Sequence, residues 1–110
     1  MRILFDQGTP APLRSYLTAH TVETVYEQGW STLTNGALLA QAEGAGYDLF
    51  VTTDKNLRYQ QNLSGRRLAI IVLGTTSWPT IQRQVDRVQQ AIDSSAPGGY
   101  QEVTFDTPPP

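Results

Sequence analysis

In the stretch YDLFVTTD, residues 47–54, two threonines separate an apolar run from an acid. Its core, LFV at residues 49–51, has no polar alternation, and neither do ILF at residues 3–5 and LAIIVL at residues 68–73. Continuous apolar runs of this length are typical of strands that helices cover on both faces, as in a parallel sheet. The sequence therefore predicts three central strands.

Two further segments mix polar with apolar residues and suit the edges of the same sheet. They are TVETVYE at residues 21–27 and YQEVTF at residues 100–105. An order 2-1-3-4-5 is the simplest arrangement that places these mixed strands outside the three apolar ones. In such a sheet, ligands bind at the switch point, which here lies between strands one and three.

Helical segments separate the predicted strands. Thr9-Pro10 predicts an N-cap and first-turn proline, and Asn35-Gly36 predicts the start of a second helix. The clearest helix is SWPTIQRQVDRVQQAIDSS at residues 77–95, whose apolar residues recur at spacings of three and four. This stripe consists of Trp78, Ile81, Val85, Val88 and Ile92. The alternation of strands and helices predicts an α/β fold with right-handed crossovers and helices on both faces of a parallel sheet.

The composition predicts one globular domain over residues 1–105, followed by a flexible, proline-rich tail at residues 106–110. The chain has no cysteine, which excludes thiolate chemistry, and its single histidine, His20, argues against a zinc site. MRILFDQG at residues 1–8 reaches an acid after only three apolar residues, which is too short an apolar run for a signal peptide or a membrane span. We therefore expect a cytoplasmic protein without a membrane partner. A net charge of −2 argues against a large basic face.

Two aspartates follow central strands of the predicted sheet. Asp6 comes directly after the first run, and Asp54 follows the third strand after two threonines. Because parallel strands end at one edge of a sheet, we expect these carboxylates to converge at the switch point. A divalent cation such as Mg²⁺ or Mn²⁺ would relieve their mutual repulsion. A lone aspartate after a strand is more often a helix cap or turn residue than a metal ligand. The presence of two on adjacent central strands keeps both interpretations open.

Other acids fit such a site less well. Glu43 lies more than two turns along the second predicted helix, so we expect its carboxylate to lie away from the strand ends. Asp48 begins the strand that Asp54 follows, and it therefore belongs to the opposite edge of the sheet.

A basic cluster follows the candidate site in the sequence. Lys55, Arg58, Arg66 and Arg67 are half of the eight Lys and Arg residues of the chain. Positive charge beside a metal site would hold RNA phosphates, and Tyr59 would stack on a base. A solvated helix face that balances nearby acids explains the same residues equally well.

Trp30 has two interpretations. It either fills the core over the edge of the sheet or forms an exposed anchor for a partner, and the core is favoured.

Three segments together resemble one protein family. They are ILFDQGTPAPLRSYL at residues 3–17, GWSTLTNGALLAQAEGAGYDLFVTTDKNL at residues 29–57, and RRLAIIVL at residues 66–73. They look like the PIN-like proteins of the DUF5615 group, small relatives of the PIN-domain (VapC-type) ribonucleases. The resemblance covers about residues 2–75 and implies a compact, three-layer α/β/α (Rossmannoid) fold. It also implies a metal-dependent endoribonuclease that acts as the toxin beside a small antitoxin.

The resemblance assigns the acid of the first strand to Asp6 and the acid of the TTD motif to Asp54. This chain departs from the family pattern at Gln7, at Asn35 in TNGA, and at Asn56, where relatives often carry acids. The amide oxygens of Gln7, Asn35 and Asn56 can still coordinate a metal, and Asn35 and Asn56 would complete or orient its shell, but these amides supply no negative charge.

Three functions compete on these residues. The first is the Mg²⁺- or Mn²⁺-dependent ribonuclease. The second is a catalytically degenerate module that binds an antitoxin or a second copy of itself. The third is a receiver-like phosphoacceptor domain, which is disfavoured because it needs a lysine after the fifth strand and the only lysine is Lys55.

Overall fold

The structure, a computed structural model, describes residues 1–60, 63 and 65–106. Five parallel strands form one sheet in the order β2-β1-β3-β4-β5, which confirms the predicted order and both predicted edges. The strands are β1 (Arg2–Phe5), β2 (Thr21–Thr24), β3 (Leu49–Thr52), β4 (Ala69–Leu73) and β5 (Tyr100–Val103).

Helices cover both faces of the sheet, as predicted. They are a 3-10 helix (Ala11–Tyr16), α1 (Asn35–Gly44), α2 (Leu57–Gln60), α3 (Trp78–Arg83) and α4 (Val85–Asp93). No described helix is both long enough and apolar enough to cross a membrane. Of the predicted proline-rich tail at residues 106–110, residues 107–110 lie outside the described residues. Its first residue, Asp106, forms an ion pair with Arg87.

The single helix predicted over residues 77–95 is two helices. Gln84, with φ −130° and ψ 32°, leaves the helical conformation between α3 and α4. Its side chain donates to the carbonyl oxygens of Thr80 and Asp106 and accepts from the Asp106 N–H. The apolar stripe continues through the break, since Ile81 and Val85 on either side are both buried. The predicted apolar stripe is therefore confirmed, whereas the prediction of one continuous helix is wrong.

Thr9 does not cap the first helical segment. Its buried hydroxyl donates to the carbonyl oxygen of Val51 at 3.0 Å, and Pro10 precedes the 3-10 helix without a side-chain cap. Thr9 thus fastens the chain after β1 to β3 instead of starting a helix.

The core has two halves, one on each face of the sheet, because successive strand residues point to opposite faces. Ile3 and Phe5 face the 3-10 helix, α3 and α4, and Leu4 faces α1 and α2. Trp30 is half-buried against this second half, edge-on to the ring of Tyr47 at 6.0 Å, which confirms the core interpretation. The result is the predicted three-layer α/β/α architecture.

One crossover has the opposite hand to the others. The connections β2-α1-β3, β3-α2-β4 and β4-α3-α4-β5 all move in the same direction across the sheet. However, α1 and α2 lie on one face, and α3 and α4 lie on the other with the 3-10 helix. The prediction that every crossover is right-handed is therefore wrong for one connection.

The physical reason lies in the short 3-10 helix. It supplies only Leu13, together with Leu17 just beyond its end, to the core on its face. Two residues are too few to cover five strands, and α3 and α4 cover the rest of that face. Tyr16 joins the two parts, since its ring lies 5.7 Å from that of Trp78 and its hydroxyl accepts from Gln82.

Glu43 and Asp48 lie at the amino edge of the sheet, as predicted. One oxygen of Glu43 accepts the backbone N–H groups of Arg67 and Leu68, directly before β4. These hydrogen bonds are the main cause of the lowered pKa of Glu43. Asp48 accepts from the N–H of Arg2 at 2.8 Å.

We predict that Gly98→Ala destabilises the fold more than Gly29→Ala does. Both glycines have positive φ, so each alanine costs about 1–2 kcal/mol of conformational energy. At Gly98, a Cβ would also lie 2.7 Å from the carbonyl oxygen of Arg66, whereas nothing lies within 4 Å at Gly29. Urea unfolding of the two variants measures the difference, and equal losses would contradict the contact.

We also predict a ranking at Glu43. Glu43→Gln keeps the accepting oxygen and loses the charge, so it costs less stability than Glu43→Ala. Because the pKa of Glu43 in the fold lies below its ordinary value of 4.5, the charge stabilises the fold above about pH 4.5. That contribution disappears as the pH falls through the lowered pKa.

Urea midpoints at pH 7 and pH 3 check this ranking. The gap between wild type and Glu43→Gln should shrink at the lower pH. The control is Asp93→Asn at the exposed end of α4. A gap that is equally large at both pH values would show that the charge contributes nothing.

Candidate functional site

Asp6 and Asp54 lie at the carboxyl ends of the neighbouring strands β1 and β3, and both are half-buried. Thr52, the fully buried last residue of β3, joins them. Its hydroxyl donates to Oδ2 of Asp6 at 2.6 Å and accepts from the backbone N–H of Asp54 at 3.1 Å. The structure therefore brings the two predicted acids together through one hydroxyl group.

The second oxygen of Asp6 and one oxygen of Asp54 satisfy local backbone groups. Asp6 Oδ1 accepts from the N–H of Gln7 at 2.7 Å, and Asp54 Oδ1 accepts from the N–H of Asn56 at 2.9 Å. The turn interpretation of both aspartates is thus correct. It leaves further lone pairs on each carboxylate, since an ionised carboxylate can accept about four hydrogen bonds.

Asn35 reaches the site from the first turn of α1. Thr34 is the N-cap of this helix and accepts from the N–H of Ala37, so the side chain of Asn35 is not needed for capping. Its Nδ2 donates to Asp54 Oδ2 at 3.3 Å. In this arrangement, Asn35 orients the carboxylate of Asp54.

Two predicted amides contribute through the backbone only. Asn56 and Gln7 are both exposed, and each donates its N–H to the neighbouring carboxylate. Among the described residues, neither side chain forms a hydrogen bond with Asp6 or Asp54. Of the amides predicted from the sequence, the structure brings the side chain of Asn35 to the acids.

The loops after β1 and β3 are in close contact. A Cβ at Gly8 would collide with the side-chain hydroxyl of Thr53. The missing side chain at Gly8 lets the two loops that carry the acids approach each other.

The predicted basic cluster is divided between the two edges of the sheet. Lys55 follows Asp54 directly at the edge that carries the aspartates, and Arg58 contacts Glu102 and Tyr100 on β5. Arg66 and Arg67 precede β4 at the amino edge with Glu43. The structure therefore does not bring Arg66 and Arg67 to the candidate site. Sequence proximity failed here because Lys55 follows the end of β3, whereas Arg66 and Arg67 precede β4, the next parallel strand, whose start lies at the opposite edge.

Arg58 and Tyr59 have specific partners. The guanidinium of Arg58 lies 4.7 Å from the ring centre of Tyr59 and 3.4 Å from an oxygen of Glu102. The hydrogen bond from Arg58 to the Tyr59 hydroxyl raises the pKa of the arginine, with Glu102 adding to it. Tyr59 is 72% exposed and remains accessible for stacking.

A further carboxylate lies near Asp6 and was not predicted from the sequence. Asp6, Arg14 and Glu27 line one cavity of about 400 Å³ beside β1 and β2. Arg14 donates hydrogen bonds to both oxygens of Glu27, at 2.7 and 3.1 Å, and this ion pair lowers the pKa of Glu27. Thirteen residues separate the partners, so no local pattern could have indicated the pair.

The acids of this edge form a pair and not a larger cluster. Over residues 1–60, 63 and 65–106, no group of three or more His, Asp or Glu residues converges on one point. Within that part of the chain, neither Asp6 nor Asp54 forms an ion pair. The two acids therefore lie at the switch point without a cationic partner among the described side chains.

Comparison with protein-family models, with curated proteins and with solved structures gives no match for this chain. The resemblance to the DUF5615 group therefore stays a prediction from the motifs.

We predict that Thr52→Val uncouples the two acids. Valine has the same shape but no hydroxyl, so Asp6 loses a donor and the Asp54 N–H loses its acceptor, at a cost of about 1–3 kcal/mol. Thr52→Ser retains the hydroxyl and should preserve more of this energy. Urea unfolding measures both variants, and a loss in Thr52→Ser as large as that in Thr52→Val would mean that the hydroxyl contributes no more than the methyl group.

Proposed function

We propose that this protein is a cytoplasmic ribonuclease that depends on a divalent cation, Mg²⁺ or Mn²⁺. The observation that supports the proposal best is the placement of two half-buried aspartates, Asp6 and Asp54, with no ion-pair partner among the described residues. The Thr52 hydroxyl links the carboxylate of Asp6 to the backbone N–H of Asp54. Carboxylates at the ends of neighbouring strands repel each other, and a cation compensates their charge.

The residues present fit a hard cation. Both acids keep free lone pairs after their hydrogen bonds to the backbone and to Thr52. Mg²⁺ often uses only one or two protein carboxylates and takes its other ligands from water and phosphate. Asp6 and Asp54 would hold the cation, which when bound activates water and stabilises the leaving oxygen of a phosphodiester.

The surrounding residues have supporting roles in this proposal. Thr52 and Asn35 hold the two carboxylates in position through their hydrogen bonds. Lys55, which is exposed and follows Asp54 directly, attracts the phosphate backbone of RNA. The exposed ring of Tyr59 offers a surface on which a base stacks.

A second candidate keeps the fold without the chemistry, and the small number of acids supports it. A third carboxylate near this edge, Glu27, accepts hydrogen bonds from Arg14 on both oxygens. While this ion pair persists, Glu27 does not serve as a metal ligand. In this case the protein would be an interaction module for a small antitoxin or for a second copy of itself. The same antitoxin is the expected partner if the protein is an active, toxin-like ribonuclease.

We predict that Asp54→Asn abolishes Mn²⁺ binding and lowers RNA cleavage on the order of 100-fold, the usual cost of removing one electrostatic stabiliser. The fold should persist, because an amide oxygen still accepts the N–H of Asn56. Calorimetric titration with Mn²⁺ and cleavage of a labelled RNA measure the two effects. Circular dichroism checks the fold.

Asp93→Asn is the matched control, since it removes the same charge from the exposed end of α4. It should bind Mn²⁺ and cleave RNA like the wild type. If Asp54→Asn cleaves RNA as fast as the wild type, Asp54 has no catalytic role. If the wild type binds no Mn²⁺ at millimolar concentration and neutral pH, the interaction module is the better proposal.

A further inference from the structure

A second cavity lies at the same edge of the sheet, beyond β3 and beside the ends of β4 and β5. Its volume is about 420 Å³. Lys55, the only lysine of the chain, lines this cavity and follows Asp54 directly in the sequence. The other lining residues are Val72, Gly74, Thr75, Thr80, Glu102, Val103, Thr104 and Phe105. We name this feature the Lys55 cavity.

The Lys55 cavity exists because of the reversed crossover. Lys55 precedes α2, which lies on one face of the sheet, and Thr80 belongs to α3, which lies on the other. With the helices after β3 and β4 on opposite faces, the cavity spans the end of the sheet between them. Its floor is the end of β4, where Val72 is buried.

The charge of the cavity favours an anion. Among the described residues, Lys55 forms no ion pair, so its ammonium is available. The single acid of the lining, Glu102, is paired with Arg58 and also accepts from the hydroxyl of Tyr100. The hydroxyl of Thr75 accepts from the N–H of Ser77 and retains its own proton for donation.

The remaining wall is apolar and contains an aromatic ring. Phe105 is half-buried against the core, and Val103 is 7% exposed. A cation and a hydroxyl donor beside an aromatic wall match the two parts of a nucleotide, its phosphate and its base.

We infer that the Lys55 cavity binds one unpaired nucleotide of the RNA, next to the phosphodiester that would lie at Asp6 and Asp54. This inference rests on the proposed function and adds to it a binding site for one unpaired nucleotide. A base that enters a cavity must leave its stack and its pair, and unpaired segments allow this at the lowest cost. Lys55 holds the phosphate, and the ring of Phe105 supports the base.

Binding can be measured without cleavage and without metal. The probe is a fluorescein-labelled, 2′-O-methylated RNA hexamer, titrated in EDTA and followed by fluorescence anisotropy at several salt concentrations. We expect the hexamer to bind more tightly than a blunt duplex of the same strand. In ¹⁵N spectra with adenosine 5′-monophosphate, the amides of Gly74, Thr75 and Thr104 should shift.

Two variants separate the phosphate from the base. Lys55→Ala should weaken binding and reduce the slope of log affinity against log salt by about 0.7, the value for one phosphate contact on a single strand. Phe105→Leu keeps an apolar side chain but removes the ring, so it should weaken binding without changing the slope. Arg67→Ala is the charge-matched control at the opposite edge and should change neither quantity.

Several results would overturn the inference. Equal effects of Lys55→Ala and Arg67→Ala would indicate diffuse electrostatic attraction. An unchanged affinity in Phe105→Leu, a preference for the duplex, or amide shifts confined to the amino edge would each exclude the nucleotide from this cavity.

The inference and the proposed function fail separately. If the protein binds Mn²⁺ and cleaves RNA but Lys55→Ala and Phe105→Leu leave hexamer binding unchanged, the cavity is not the subsite and the ribonuclease stands. If the hexamer binds in the cavity but Mn²⁺ binding and cleavage are absent, the nucleotide site stands without the catalytic function.

Discussion

The pairing of β1 with β3 is the interaction on which both the core and the candidate site depend. It aligns Ile3 with Leu49 and Phe5 with Val51, so their side chains share one face of the sheet. The N–H of Asp6 continues this ladder beyond β1 by donating to the carbonyl oxygen of Val51 at 2.9 Å. A shift of this register by one residue would turn the apolar side chains to the wrong faces and separate Asp6 from Thr52.

The two ends of the sheet have different electrostatic characters. At the amino edge, the carboxylates of Glu43 and Asp48 accept hydrogen bonds from backbone N–H groups, and they thereby stabilise the starts of strands. At the carboxyl edge, Asp6 and Asp54 also accept from backbone groups but keep spare lone pairs. The first edge therefore uses its acids for the fold, and the second edge has acids that remain able to bind a cation.

The reversed crossover connects the architecture with the proposed substrate. Because the 3-10 helix after β1 is short, α3 and α4 cover its face of the sheet instead of joining α1 and α2. The helices after β3 and β4 are thereby separated, and the Lys55 cavity lies between them. The need to cover the apolar face of the sheet beside the 3-10 helix thus left the Lys55 cavity near the aspartates.

The strands, their order and the placement of two acids at one edge could be predicted from the sequence, because each depends on local patterns. Unbroken apolar runs indicate buried strands, and an acid directly after such a run must lie at the carboxyl edge of a parallel sheet. Only the tertiary structure decided the hand of the last crossover, the break at Gln84, the pairing of Arg14 with Glu27 and the separation of Arg66 and Arg67 from Lys55. These features depend on contacts between residues distant in sequence, and on how much of each sheet face the other segments leave uncovered.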